Sequence, residues 1–409
     1  MTPTEPHLLI ERARAMAPAV EAAATRSEAS GLLDASVGSA LLDAGLLHAL
    51  VPLELGGSAV DIVTAIELFE EVARQDGSTG WSLMAAAAST AFAAMYASDT
   101  VAAELFGNGR RSVMAGQLSP RGRAVPTADG VGGAIVEIDV SGAIGPSGAG
   151  GLAPPGYEVS GSYQFGSGSD RATHMLGGCL VMADGAPVMR PSGMPEILAV
   201  IVPRDRVVFR GNWNVMGLAG TASIDYEITP TLIDRGAAFS IFADEPLRGG
   251  VTHRLGVMTI TAAGHAGFAL GVARRALDEI AALASTKTRM GDVRLGDQQA
   301  FQVGYARAEA KVRAARSFIV EAFVTAEAAV RTTGEQPLRA RHLARLATTW
   351  GTEVCAEAVE WAYRESGSDG LRLPSVLGRC FRDIHAGTQH VFVSRKTLTD
   401  AAADLLVRG

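Results

Sequence analysis

Tyr157-Glu158-Val159-Ser160-Gly161-Ser162-Tyr163-Gln164-Phe165 alternates apolar and polar side chains with a period of two, the pattern of a strand with one buried face. Shorter runs of the same kind follow at Leu176–Met182, Ile197–Val202, Arg206–Phe209 and Ala222–Ile228. A β domain of about six to eight strands is therefore expected over 112–235. Outward from it the period becomes helical on both sides. Before it, Leu41, Leu42, Leu46 and Leu47, then Val63, Ile66, Leu68 and Val72, recur at three- and four-residue spacing. Pro52 with Gly56-Gly57 separates two of these helices, and Asp76-Gly77-Ser78-Thr79 supplies N-cap chemistry for an Ala-rich helix that begins near Trp81. After it, Leu343, Leu346, Trp350, Val354, Ala358 and Trp361 trace one apolar stripe. Four long helices are expected at roughly 254–284, 296–332, 338–365 and 380–407, with connections short enough for an antiparallel four-helix bundle. The expected fold is α+β, mostly α: an N-terminal helical domain over 1–111, a central β barrel or sandwich over 112–235, and a C-terminal four-helix bundle over 236–409.

A Gly/Pro-rich excursion at 131–156 interrupts the β region. Its densest part, Ser141–Gly156, holds six Gly and three Pro. A phosphate-cradling loop needs a helix N-terminus behind it, and Pro154-Pro155 allows none, so a surface loop is expected.

Of 409 residues, 48% are hydrophobic and 19% charged, a balance that favours a large buried core. Lys plus Arg number 36 against 43 Asp plus Glu, a net charge of −7 that disfavours nucleic acid or anionic membrane as partner. Cys179, Cys355 and Cys380 are too few and too dispersed for a disulfide framework or a CxxC pair, and buried thiols are expected. Met1–Ala15 carries Glu5, Glu11, Arg12 and Arg14 without an apolar core, so no secretory signal and a cytoplasmic location are expected. The apolar stretches Trp81–Tyr96 and Met258–Val272 are shorter than the roughly 20 residues a bilayer needs. The histidines show no HExxH or HxxEH spacing, no GxSxG opens a strand-to-helix turn, and no GxGxxG nicotinamide fingerprint is present.

Five segments in this order carry a resemblance: Val51-Pro52-Leu53-Glu54-Leu55-Gly56-Gly57; Asp76-Gly77-Ser78-Thr79-Gly80-Trp81; Gly161-Ser162-Tyr163-Gln164-Phe165-Gly166-Ser167-Gly168; Met216-Gly217-Leu218-Ala219-Gly220-Thr221-Ala222-Ser223; and Arg379-Cys380-Phe381-Arg382-Asp383. Together they resemble the acyl-CoA dehydrogenase superfamily, and within it the two-component flavin-dependent monooxygenases. The resemblance implies reduced flavin, FAD or FMN, delivered by a separate NAD(P)H flavin reductase, with O2 trapped as a C4a-hydroperoxide and one oxygen passed to an aromatic, indole-like or amine-bearing small molecule. It also implies a homo-oligomer, commonly a tetramer, and a flavin ring between the β domain and the C-terminal bundle. There Ser167 is either a hydrogen-bond partner near flavin N5 or a turn serine. Thr221 and Ser223 contact flavin or close a β-turn, and Trp213 shields the ring or simply packs. Arg289 resembles the position where an arginine of a neighbouring subunit meets the flavin diphosphate, and is otherwise a solvated loop residue.

Dehydrogenases of the superfamily commonly carry Tyr-Glu-Gly-Thr in the last helix, the Glu being the base. Here the matching stretch is His385-Ala386-Gly387-Thr388-Gln389-His390, so Ala386 stands in place of the carboxylate. Glu279, on an earlier helix, is the remaining candidate for a dehydrogenase base. Asp383, Ala386, Gly387 and His390 fall at helical spacing and are expected to share one pocket-facing stripe. Gly inside a helix costs about 1 kcal/mol relative to Ala, so Gly387 points to a close approach, by a ligand or by a neighbouring helix. His390 is the candidate acid or base, since an imidazole titrates near neutrality without large tuning. Related phenol hydroxylases carry a second histidine on the N-terminal domain; the corresponding region here, Ala85–Tyr96, has none and offers only Ser89 and Thr90 as polar residues near that position, so a bulkier aromatic, an indole-like ring or an amine is the expected substrate. The other readings are an acyl-CoA dehydrogenase and a non-catalytic binding member of the fold, for which Arg339, Arg341 and Arg345 would form a basic patch.

Overall fold

The structure is a computed structural model and describes residues 6–127, 155–243, 245–288 and 293–407. The excursion lies outside the described residues up to position 154, and so does Arg289. Six helices open the chain: α1 (Pro6–Ala15), α2 (Ala17–Ser30), α3 (Ala35–Asp43), α4 (Ile62–Gln75), α5 (Gly77–Tyr96) and α6 (Asp99–Phe106). Caps start several of them, with Asp34, Asp61 and Asp76 each accepting a backbone N–H of the first turn. Helix α5 is apolar on nearly every face and is buried on nearly every face, as its composition requires.

The strands are β1 (Met114–Thr127), β2 (Gly156–Gly166), β3 (His174–Ala183), β4 (Ala186–Pro187), β5 (Ile197–Pro203), β6 (Val207–Phe209), β7 (Ile224–Asp234) and β8 (Ala238–Ser240). They form one eight-stranded sheet in the order β6-β7-β2-β1-β3-β5-β8, with β4 against β3. Only β1 and β3 run parallel among the named pairs. The sheet continues past the expected boundary at 235, because β8 pairs with β5. Tyr163 and Tyr226 stack at 5.0 Å inside the β region, their hydroxyls donating to the Gly178 and Leu176 carbonyls.

The last third is α7 (Gly256–Thr286), α8 (Gln299–Thr333), α9 (Leu338–Ser366), α10 (Ser368–Leu371), α11 (Val376–Gly387) and α12 (Arg395–Leu406). The expected single helix over 380–407 is therefore a correction: it breaks between Gly387 and Arg395, where Gly387, Thr388 and the β-branched pair Val391 and Val393 weaken helix propensity. Helix α7 packs so closely on α4 that a Cβ on Gly271 would lie 2.3 Å from the Glu70 carbonyl oxygen. The two helical regions share one continuous hydrophobic core, from Leu50, Ile66 and Phe92 to Phe268, Phe323 and Val359. The sheet has its own smaller core around Tyr163, Val200 and Tyr226. The stretch Thr252–Thr286 is long and apolar enough to cross a bilayer, but 83% of its most apolar window is buried in the protein, as in a core helix.

Candidate active site

Three stretches far apart in sequence meet around Trp81. The Asp76 carboxylate accepts from the N–H and Oγ1 of Thr79, both at 2.9 Å, which starts α5 and fixes Trp81 in its second turn. The second stretch is the end of β2 together with the loop before β7. There Phe165, Leu218 and Ala222 take positive φ, 62°, 55° and 48°. Such a conformation costs a residue bearing a side chain about 1–3 kcal/mol and collects at functional sites.

These bends bring Ser167 beside Ser223 and Thr221. Trp81 Nε1 donates to Ser167 Oγ at 3.1 Å, Ser167 Oγ lies 2.7 Å from Ser223 Oγ, and Ser223 Oγ lies 2.7 Å from Thr221 Oγ1. Thr221 Oγ1 donates to the Leu218 carbonyl at 2.8 Å. Each hydroxyl has one proton. With Thr221 donating to the carbonyl, Ser223 must donate to Thr221 and Ser167 to Ser223.

The third stretch follows α11. His390 lies in the turn beyond that helix and caps a short 3-10 turn, Val391–Val393, so the expected stripe of Asp383, Ala386, Gly387 and His390 on one helix is corrected. The turn delivers the His390 ring edge-on to Trp81 at 5.5 Å and stacked on Phe392 at 5.4 Å. Trp81 also meets Phe268 edge-on at 4.9 Å. Burial pushes the His390 ring down to about 4, below the near-neutral value expected from residue type alone. Its Nδ1 accepts from the Phe392 N–H at 3.4 Å, so the neutral ring carries its proton on Nε2 and offers a donor there.

The other expected residues fall into different surroundings. Asp383 is fully buried and turned toward the β domain, its Oδ1 accepting from the Leu218 N–H at 2.6 Å. Arg379 beside it reaches Asp76 at 3.3 Å and Glu28 at 3.6 Å, so this corner ties α11 to α5, α2 and the Leu218 turn. A Cβ on Gly387 would lie 2.5 Å from Phe268 Cε1, which identifies the close approach as helix packing. Ala386 is half-buried and packs against the core. Trp213 donates to the Ala219 carbonyl at 2.8 Å and meets Phe165 edge-on at 6.3 Å. Glu279 pairs with Arg275 at 2.8 Å, which engages the alternative dehydrogenase base. Arg345 of the suggested basic patch is largely buried beside Asp400. Thr90 accepts from the Met114 N–H at 3.0 Å and is held in the fold.

Sequence reasoning missed His265. It sits on α7, fully buried, stacked on His390 at 5.5 Å and edge-on to Trp81 at 5.4 Å. The available signal was a lone imidazole inside the apolar run Ala262-Ala263-Gly264-His265-Ala266-Gly267.

Residues 4–105 match the model for the acyl-CoA dehydrogenase N-terminal domain, and residues 263–395 match an acyl-CoA dehydrogenase C-terminal domain. The chain is 30% identical to indole-3-acetate monooxygenase of Pseudomonas putida over 366 residues, covering 88% of this chain and 83% of that one. It belongs to the acyl-CoA dehydrogenase family, in its flavin-dependent monooxygenase branch. This monooxygenase is also 22% identical to the FADH2-dependent resorcinol hydroxylase, oxygenase component, of a Rhizobium species, over 95% of this chain and 91% of the other. Its fold matches TdsC of a Paenibacillus species, solved with FMN and indole, with a TM-score of 0.78 at 20% identity over 98% of this chain and 97% of that one.

Flavin is the cofactor of the monooxygenase, and the residues present fit it. Neutral hydroxyls and indole and imidazole edges suit a flat, uncharged heteroaromatic ring. The strained backbone also holds Phe165 57% exposed, beside Trp213, as an apolar rim. Ser167, half-buried at the head of the row, would meet a ring heteroatom, whereas Ser223 and Thr221 are buried behind it and Thr221 closes the turn onto the Leu218 carbonyl; reduced flavin would supply the electrons that activate O2. With Ala at 386 and Asp383 turned away, the dehydrogenase alternative lacks its base.

Proposed function

We propose that this monooxygenase is the oxygenase component of a two-component system: it takes reduced FAD or FMN from a separate NAD(P)H-dependent reductase and inserts one atom of O2 into an electron-rich, indole-type aromatic ring, the other atom leaving as water. The observation that carries this reading is the uncharged cage of Trp81, Phe268, Phe392 and His390 set against the hydroxyl row. An aromatic substrate gains from edge and face contacts there, and the same side chains exclude water. His390, neutral and protonated on Nε2, contributes a hydrogen bond without bringing a buried charge. The P. putida relative's substrate and the indole in the TdsC structure support the substrate class. The "oxygenase component" in the Rhizobium relative's name and the lack of a GxGxxG fingerprint support the separate reductase. A homotetramer accompanies this reading, supported by the exposed Leu371, Leu373 and Leu406, and light scattering at the 42.4 kDa monomer mass would remove it.

The test is reconstitution. With NADH or NADPH alone the protein oxidises nothing. With a flavin reductase, flavin, O2 and indole-3-acetate it yields a product one oxygen heavier, seen by mass spectrometry. Reduction of the bound flavin by an acyl-CoA, with no oxygenated product from any aromatic offered, would falsify the proposal.

A further inference from the structure

Buried histidines elsewhere in this protein serve the fold by bonding to it. His48 Nε2 pairs with the Ser112 carbonyl at 3.0 Å, and His253 Nε2 with the Leu50 carbonyl at 2.9 Å. His265 does not. Among the described residues neither its Nδ1 nor its Nε2 has a hydrogen-bond partner, although the residue is fully buried. A neutral imidazole has one donor and one acceptor, and leaving such groups unmet in a protein interior is costly, so an apolar side chain would serve packing better. Its neighbours are rings: His390 stacked at 5.5 Å, Trp81 edge-on at 5.4 Å and Phe268 at 5.9 Å. The unmet nitrogens therefore lie in the aromatic cage and not in a remote part of the core. Within that cage, His390 Nε2 is a donor, and the Trp81 N–H is engaged by Ser167.

We propose that His265 is a specificity-determining residue of the monooxygenase, its unprotonated nitrogen accepting the ring N–H of an indole-type substrate beside the donor that His390 presents. The inference rests on the proposed function and adds the atom by which the ring is told from isosteres without an N–H. Burial and the neighbouring His390 both lower the His265 pKa, so at neutral pH the ring keeps the lone pair that acceptance requires. A site built to bond a polar hydrogen rejects the analogue lacking it, because the buried acceptor is then left unpaired.

The test compares indole with benzothiophene, in which sulfur replaces the N–H, by calorimetric binding to the flavin-loaded protein. The wild type binds indole about tenfold or more tightly than benzothiophene, the scale of one buried hydrogen bond. His265→Phe brings the ratio close to one by weakening indole alone, leaves flavin affinity unchanged, and does not lower the melting temperature. His265→Gln, which retains an acceptor, recovers part of the preference. A preference for indole that survives in His265→Phe overturns the inference while leaving the proposed function standing. So does a variant that melts earlier and binds both ligands more weakly by the same factor, the outcome for a packing residue. A wild type that binds neither ligand overturns the substrate class itself, and the His265 assignment with it.

Discussion

Asp383 gives the sharpest link between buried chemistry and the shape of the site. Its carboxyl is pushed up to about 8, first by burial and then by the charge of Asp76, against the opposing pull of the Leu218 N–H and Arg379. Most copies are thus protonated at pH 7. Asp383→Asn keeps an oxygen for the Leu218 N–H and is neutral at every pH, so the expected change at pH 7 is within about 1 kcal/mol. Asp383→Ala removes that acceptor and leaves the Leu218 N–H buried and unpaired, at a cost of about 1–3 kcal/mol. It also frees Leu218, held at φ 55°, to relax, so flavin affinity should fall together with stability. The two variants also differ in pH dependence. An aspartate in the unfolded chain loses its proton near 3.8, whereas the folded one holds it to about 8. Between these values the folded state carries the extra proton, so wild-type stability is lost as pH rises through the window, by up to about 1.4 kcal/mol per unit, and levels off above it. Asp383→Asn lacks that slope and gains on the wild type as pH rises. Urea denaturation at pH 5, 7 and 8.5, with flavin titrations alongside, measures both effects. If Asn is as damaging as Ala, or if its deficit grows with pH, the carboxyl is ionised in the fold and its attraction to the Arg379 charge, not the Leu218 bond, is what matters.

His390→Ala should lower oxygenated product by about 10²-fold, the scale for losing a positioned proton-handling group, with peroxide release rising and flavin affinity nearly unchanged. Peroxide yield per NADH consumed, measured beside product, checks it, and normal coupling in a variant that melts early would assign the ring to packing. Gly387→Ala should cost about 1–3 kcal/mol, because the new methyl meets Phe268 at 2.5 Å and Phe268 is wedged against Trp81. A thermal midpoint lowered by a few degrees, with altered tryptophan fluorescence, is the expected result.

The order of helices, sheet and helices could be read from periodicity because apolar spacing changes from four to two and back. What escaped was set by tertiary contact. Strand β1 runs through Gly116, Pro120, Gly122 and Pro126, and its pairing with β3 shifts register around Pro120, so no clean alternation survives in the sequence. The break after Gly387 hid inside a stretch that otherwise counts as helix, and it is this break that carries His390 into the cage. Gly387 itself was legible as a close approach, but whether a ligand or a side chain approached could be decided only by seeing Phe268. His265 was hidden for the opposite reason: one imidazole in an apolar helix has the appearance of core until its nitrogens are found without partners. Ser167, Ser223 and Thr221 were individually recognisable, whereas their single file depends on the bent backbone at Phe165, Leu218 and Ala222.

That single file has a direction. Every O–H in it points away from Trp81 and toward the Leu218 carbonyl, an atom with no proton to hand on, so the row is a cul-de-sac for proton traffic despite its likeness to a wire. Reversing it would leave the carbonyl with the Thr221 N–H at 3.2 Å as its remaining donor and set two buried lone pairs facing each other at 2.8 Å. Ser167, at the head of the row, consequently has only a lone pair to offer whatever docks against it, and a visitor must bring its own hydrogen.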